Sequence, residues 1–121
     1  MSSSTAQASQ LVDGLITSSQ SKVVIFSKST CPFCDRSKGL FESEFPGVGV
    51  EVVETDEHPI GDEIRAYLAE KTGQRTVPNI FIIADGNVGN DDLMALYRSE
   101  KLAELLADME KYVPRSLFTQ V

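Results

Sequence analysis

The chain has no tryptophan, one histidine, two cysteines, and eleven Lys and Arg against eighteen Asp and Glu. Each shortage excludes something. A closed structural zinc site takes four ligands. Cys31, Cys34 and His58 fall short of that, so such a site would have to borrow a carboxylate or a second chain, and no metal is expected. Two cysteines allow at most one bridge. A net charge of −7 and a pI of about 4.6 argue against nucleic acid as a partner, because binding phosphate backbones takes a concentrated basic face. No apolar run approaches the roughly 18–20 residues of a membrane span. The opening "MSSSTAQASQ" has no basic segment leading into an apolar one, so it does not read as a signal peptide, and it lacks the arginines of a transit peptide. The expectation is a cytoplasmic protein that contacts neither membrane nor nucleic acid. In that reducing setting a close cysteine pair serves catalysis or metal binding more often than structure.

What is present suits one compact domain. The chain has 121 residues, 41% of them hydrophobic, enough to bury a core without a covalent staple. Residues 1–121 read as a single domain, with a frayed Ser-rich start over 1–5 and a tail over 114–121. Leu11, Val12, Leu15 and Ile16 recur at helical spacing from Ala6 onward. "KVVIFS" (22–27) is a short β-branched and aromatic run, as in a buried strand. "DRSKGLFESEF" reads as a helix halted at "FPGVG", and "VEVVET" (50–55) as a second strand. A third helix carries Ile60, Ile64, Tyr67 and Leu68 on one face and ends at Gly73. "TVPNIFII" (76–83) gives a third strand, with room for a short fourth around Val88. Residues 92–113 read as helical with a break near Ser99. This order predicts an α/β fold: a four-stranded mixed sheet with a parallel pair, an antiparallel hairpin, and helices on both faces.

Both cysteines lie in "SKSTCPFCDRSK" (27–38), where the first strand gives way to a helix. The nucleophile is the thiolate, and a free thiol of pKa ~8.5 is only about 3% ionised at pH 7. A helix start offers unpaired N–H groups and roughly half a positive charge. Lys28 stands three residues earlier, and Pro32 suits the first helical turn, where its missing N–H costs nothing. A lowered pKa is therefore expected for Cys31. Cys34, one turn on and followed by Asp35, is expected to stay protonated. Of the eleven cations, Lys28, Arg36 and Lys38 flank the motif; the charges read as a solvated mixed surface, with a local positive rim as the sharper alternative. Lys38 itself reads as a helix-surface residue. His58, followed by Pro59, reads as a helix-entry residue and not as a catalytic base.

"KSTCPFC" (28–34), "VVETD" (52–56), "TGQRTVPNIFI" (72–82) and "NDDL" (90–93) occur in the order and spacing of a dithiol glutaredoxin, and over roughly residues 12–110 the chain resembles that family. Thioredoxin fits less well, since it carries Trp before the first Cys and Gly-Pro between the two. The resemblance implies a thioredoxin fold and a glutathione-dependent thiol–disulfide oxidoreductase. In it Cys31 is the nucleophile, Cys34 the resolving thiol, and glutathione the co-substrate. Pro78 matches a cis-proline that leaves the Val77 backbone free to pair with glutathione. Lys28 and Arg65 match positions that hold its glycine carboxylate, and Asp91 and Asp92 the pair that takes its γ-glutamyl end. Phe33 stands where Tyr is common, and Thr76 and Arg75 are rim contacts. The implied partners are glutathione and glutathionylated or disulfide-containing proteins, met by a monomer. A glutathione-ligated [2Fe–2S] module bridging two chains is the alternative, against which Pro32 counts, because cluster-binding relatives usually carry Gly or Ser there. One departure stands out. Val88 occupies the first position of a usual Gly-Gly pair, so a turn needing positive φ is expected to have moved to Asp85-Gly86.

Overall fold

In the computed structural model, residues 3–18, 22–83 and 86–111 are described. Nine elements run along them: α1 (Ser3–Ser18), β1 (Val23–Ser27), α2 (Pro32–Glu44), β2 (Val50–Glu54), α3 (Gly61–Thr72), β3 (Asn79–Ile82), β4 (Gly86–Val88), α4 (Asn90–Arg98) and α5 (Lys101–Lys111). The helix expected from Ala6 begins at Ser3, so residues 3–5 continue its pattern instead of fraying. The expected tail over 114–121 lies outside the described residues.

The sheet order is β2-β1-β3-β4. β1 runs parallel to β2, with Val23 opposite Val50 and Ser27 opposite Glu54. It runs antiparallel to β3, which closes a hairpin with β4. All five residues of β1 are buried, as its continuous apolar run predicts for a central strand. Because strand side chains alternate, that one strand feeds two cores. Val23 and Ile25 join Phe41, Ile80, Ile82, Val88, Leu93, Leu102 and Leu106 beneath α2, α4 and α5. Val24 and Phe26 join Ala8, Val12, Ile64, Leu68 and Phe81 beneath α1 and α3. Phe26 and Phe81 meet edge to face at 5.8 Å. This is the thioredoxin fold that the resemblance implies, with helices on both faces of a mixed sheet.

The hairpin answers the question raised by Val88. Val88 is buried and pairs with Ile80, and the positive φ (94°) falls on Gly86. The left-handed residue has thus moved to a glycine that carries no steric cost, and Val88 packs into the core. α3 ends as expected, with Gly73 at φ 78° closing it through a bond to Ala69 O. The break between α4 and α5 lies at Ser99-Glu100, where Glu100 takes φ 66°.

Candidate active site

β1 ends inside the core at Ser27, and the next three residues turn the chain out to its surface. The turn is held twice. Thr55 ties β2 to Ser27 O through its N–H (2.8 Å) and its hydroxyl (2.9 Å). Asp56 accepts the N–H of Ser29 at 2.9 Å and also its hydroxyl. These bonds from Ser29, with the cation of Lys28 as a lesser influence, hold the Asp56 carboxyl below its ordinary pKa. Cys31 N–H then bonds Lys28 O at 3.0 Å. Cys31 is the N-cap of α2, extended at φ −93° and ψ 118°, with Pro32 next to it.

Burial is the largest influence on the Cys31 thiol and pushes its pKa up. The Cys34 N–H, the Cys34 thiol and the Phe33 N–H oppose burial and outweigh it, while Asp35 opposes ionisation, and the thiol ends below its ordinary value. Cys31 closes no side-chain capping hydrogen bond, so the two N–H groups act on the sulfur from the open start of α2. The charge of Lys28, expected to help Cys31, acts on the Asp56 carboxyl. Spacing along the chain says how near a cation lies but not where its flexible stem points. Cys34 is fully buried, which is the first reason its pKa is raised; the negative charge favoured at Cys31 adds to it. Its sulfur lies 3.5 Å from the Lys28 N–H. The asymmetry expected of the pair is present.

Across from Cys31 stands the loop before β3. Val77-Pro78 is a cis peptide bond, as the resemblance implies. Val77 O lies 3.9 Å from Cys31 Sγ. From that point a groove of about 740 Å³ runs between this loop and the start of α3. Lys28, Arg65, Thr76, Val77 and Arg75 line it, with Thr55, Asp56, His58, Asp62 and Glu63. The structure thus gathers into one groove, beside the sulfur, four of the predicted binding residues and the rim residue Arg75. Arg65 is oriented by a bond to Thr55 Oγ1 (3.2 Å) and an ion pair with Asp62. His58 accepts the Ile60 N–H on Nδ1 at 3.2 Å, which fits its helix-entry reading.

The remaining predicted residues lie elsewhere. Phe33 is 49% exposed on α2, its ring covered by the Arg36 guanidinium at 5.3 Å. Asp91 and Asp92 are exposed in the first turn of α4, outside the groove, and Asp92 borders a separate hollow with Val88 and Leu96. α4 is nonetheless fixed against α2, because Ser37 Oγ donates to Asn90 Oδ1 at 2.9 Å within the core. The surface about the motif is the mixed one, without the positive rim that was the alternative. Lys38 is not simply on the surface: it is half-buried and bonds Glu54 at 2.8 Å and Asp35 at 3.5 Å. Lys28, Arg65 and Arg75 share the groove with Asp56, Asp62 and Glu63.

Sequence reasoning missed the supports: Thr55, Asp56, Gly61, Gln74, Asn79 and the Ser37–Asn90 pair. "VVETD" was a motif with no role attached; its Thr and Asp hold the turn that presents Cys31. Gly61 could have been suspected only from its place at a helix start. A Cβ on it would stand 1.7 Å from Thr55 O, so only glycine lets α3 begin there. Among the described residues, no group of three or more His, Cys, Asp or Glu could hold a metal ion.

Residues 23–88 match the Glutaredoxin family model. The chain is 48% identical over 86 residues to glutaredoxin-C6 of Oryza sativa subsp. japonica, which covers 71% of this chain and 75% of that one. It is 43% identical over 105 residues to a glutaredoxin of Solanum lycopersicum, covering 87% and 90%. Its fold superposes on a buckwheat glutaredoxin solved as a glutathione complex with a TM-score of 0.78 at 36% identity, covering 89% of this chain and 94% of that one.

Proposed function

The chain belongs to the glutaredoxin family, and from that premise we propose that it is a glutathione-dependent thiol–disulfide oxidoreductase that reduces protein–glutathione mixed disulfides and protein disulfides. The observation that carries the reading is one juxtaposition. The sulfur of Cys31, the N-cap residue of α2, has a lowered pKa and lies 3.9 Å from Val77 O, at the head of a groove containing Lys28, Arg65 and Arg75. A tripeptide seated there could pair its cysteinyl backbone with Val77 and offer its glycine carboxylate to Arg65 or Lys28, a guanidinium being suited to grip two carboxylate oxygens. Asp91 and Asp92, at the start of α4, would take the γ-glutamyl end. The buckwheat relative was solved with glutathione.

Thiolate Cys31 attacks the glutathione sulfur of a protein–S–SG disulfide. A Cys31–SG bond forms as the protein–sulfur bond breaks, and the protein thiolate leaves and takes a proton from solvent. The thiolate of a second glutathione attacks the glutathione sulfur of Cys31–SG. Oxidised glutathione departs and Cys31 is again a thiolate. The sum converts protein–S–SG and glutathione into protein thiol and oxidised glutathione. With a protein disulfide as substrate, Cys34 loses its proton and resolves the Cys31 mixed disulfide. The resulting Cys31–Cys34 bridge is reduced by two glutathiones. Family potentials of roughly −200 to −230 mV stand within reach of a cytosolic glutathione pool at about −220 to −260 mV. We accordingly place the activity in the cytoplasm, with the chain acting as a monomer.

The test is turnover of a small glutathione mixed disulfide. Cys31→Ser should abolish it and Cys34→Ser should retain it, with glutathione and glutathione reductase as the regenerating system. Activity surviving in Cys31→Ser, or regeneration by thioredoxin reductase alone, would refute the proposal.

A further inference from the structure

Val77 can serve as a backbone docking strand only if its loop is held in one rotation about the sheet. Behind the loop lies Gln74, which is not among the residues lining the groove. Its Nε2 donates to Thr76 O and to Pro78 O, both at 2.8 Å. These carbonyls are the two that flank Val77, whose own carbonyl instead meets Cys31 Sγ at 3.9 Å. One carboxamide thus fixes the residues on either side of Val77 and leaves the Val77 backbone turned towards the sulfur.

Gln74 is in turn anchored through its backbone. Its N–H bonds Thr72 Oγ1 at 3.1 Å. That hydroxyl donates to Leu68 O at 2.8 Å and accepts the Nδ2 of the buried Asn79 at 3.1 Å. The loop is therefore referred to the end of α3 and the start of β3 together. On the other side, the Gln74 Oε1 lies 3.5 Å from where a Cβ would stand on Gly89, the N-cap of α4. Gln74 spans the gap between the loop that would hold the cysteinyl part of glutathione and the helix start carrying Asp91 and Asp92.

We propose that Gln74 is a positioning residue for glutathione recognition: by bridging Thr76 O and Pro78 O it sets the rotation at which Val77 faces an incoming glutathione disulfide. The inference rests on the reading of the groove as a glutathione site. Gln74 touches neither the Cys31 sulfur nor any group found to act on its ionisation, so its loss should spoil recognition and leave thiolate chemistry intact.

The experiment follows a single oxidation of the reduced protein by stopped flow. One oxidant is glutathione disulfide and the other is hydroxyethyl disulfide, which has no peptide to recognise. Gln74→Met keeps the side-chain length and removes both donated bonds. Its rate constant with glutathione disulfide should fall about tenfold, as for an interaction made only with the recognised substrate, while that with hydroxyethyl disulfide stays within about twofold of wild type. The pH profile of Cys31 alkylation should not move. A variant that keeps the full wild-type preference, or one whose two rate constants fall together, would overturn the proposal. Should Gln74→Met not fold, Gln74→Asn, one methylene too short to span both carbonyls, carries the same comparison. A wild type that shows no preference between the two oxidants would instead refute the glutathione reading itself.

Discussion

Cys31 sits where the start of α2 favours its thiolate, and its expected reactivity follows from that position. Burial works against the thiolate, and the open end of α2 with the Cys34 thiol wins. The sign follows for pH dependence. A thiol with a lowered pKa is ionised, and therefore reactive, at pH values where a free thiol of pKa ~8.5 is still mostly protonated. Iodoacetamide alkylation of Cys31 in the wild-type protein should rise with pH and level off with a midpoint below that of free cysteine. Cys34 in wild type should remain unmodified across the same range, since burial and its neighbour push its pKa up. A Cys31 midpoint at the free value, measured by mass spectrometry of alkylated peptides, would contradict this assignment. The position of Cys31 at a helix start was legible in the sequence, because an apolar β-branched run, a proline at the first helical turn and a polar helix bracket it. The direction of the Lys28 side chain was not, because a long side chain at a turn can point to either side.

The elements that carry the site meet through a few close contacts, and two of these give tests. At Gly61, α3 starts against the carbonyl of Thr55, the residue whose hydroxyl also orients Arg65. Gly61→Ala puts a methyl where backbone already stands, so α3 must slide away from β2. We expect a loss of stability of about 1–3 kcal/mol, typical of overpacking, accompanied by a weaker grip on glutathione. Denaturant titration and the Michaelis constant for a glutathione mixed disulfide would read the two effects. In the hairpin, Val88→Gly restores the residue usual in the family but empties a buried core position that pairs with Ile80. The turn already has its glycine at Gly86. The variant should therefore lose about 2–3 kcal/mol from the lost side chain and the added chain freedom, with the Cys31 alkylation profile unchanged. A variant as stable as wild type in urea would show that Val88 does not pack as described. Such contacts were out of sight in the sequence: a glycine at a helix start and a valine near a turn show their purpose only once the partner element is in place.

At the scale of the whole molecule, the plan could be read well before the details. β1 had to be central because its run is apolar without alternation, and the structure buries it on both faces under two separate helix layers. The motifs "TCPFC" and "TVP" lie 45 residues apart, Cys31 to Thr76, and only the antiparallel pairing of β1 with β3 brings them together. Sequence spacing could name both but not measure their distance. The acidic excess of the chain likewise said little about the groove, where three cations and three acids face one another. Asp91 and Asp92 lie on α4, outside the groove, as sequence spacing alone could not show. The most direct measurement is the mass of the Cys34→Ser protein after brief exposure to a glutathionylated peptide with no free glutathione. The account predicts a gain of one glutathione, mapped to Cys31, with the peptide released as its thiol. Peptide retained on Cys31, with glutathione set free, would contradict it.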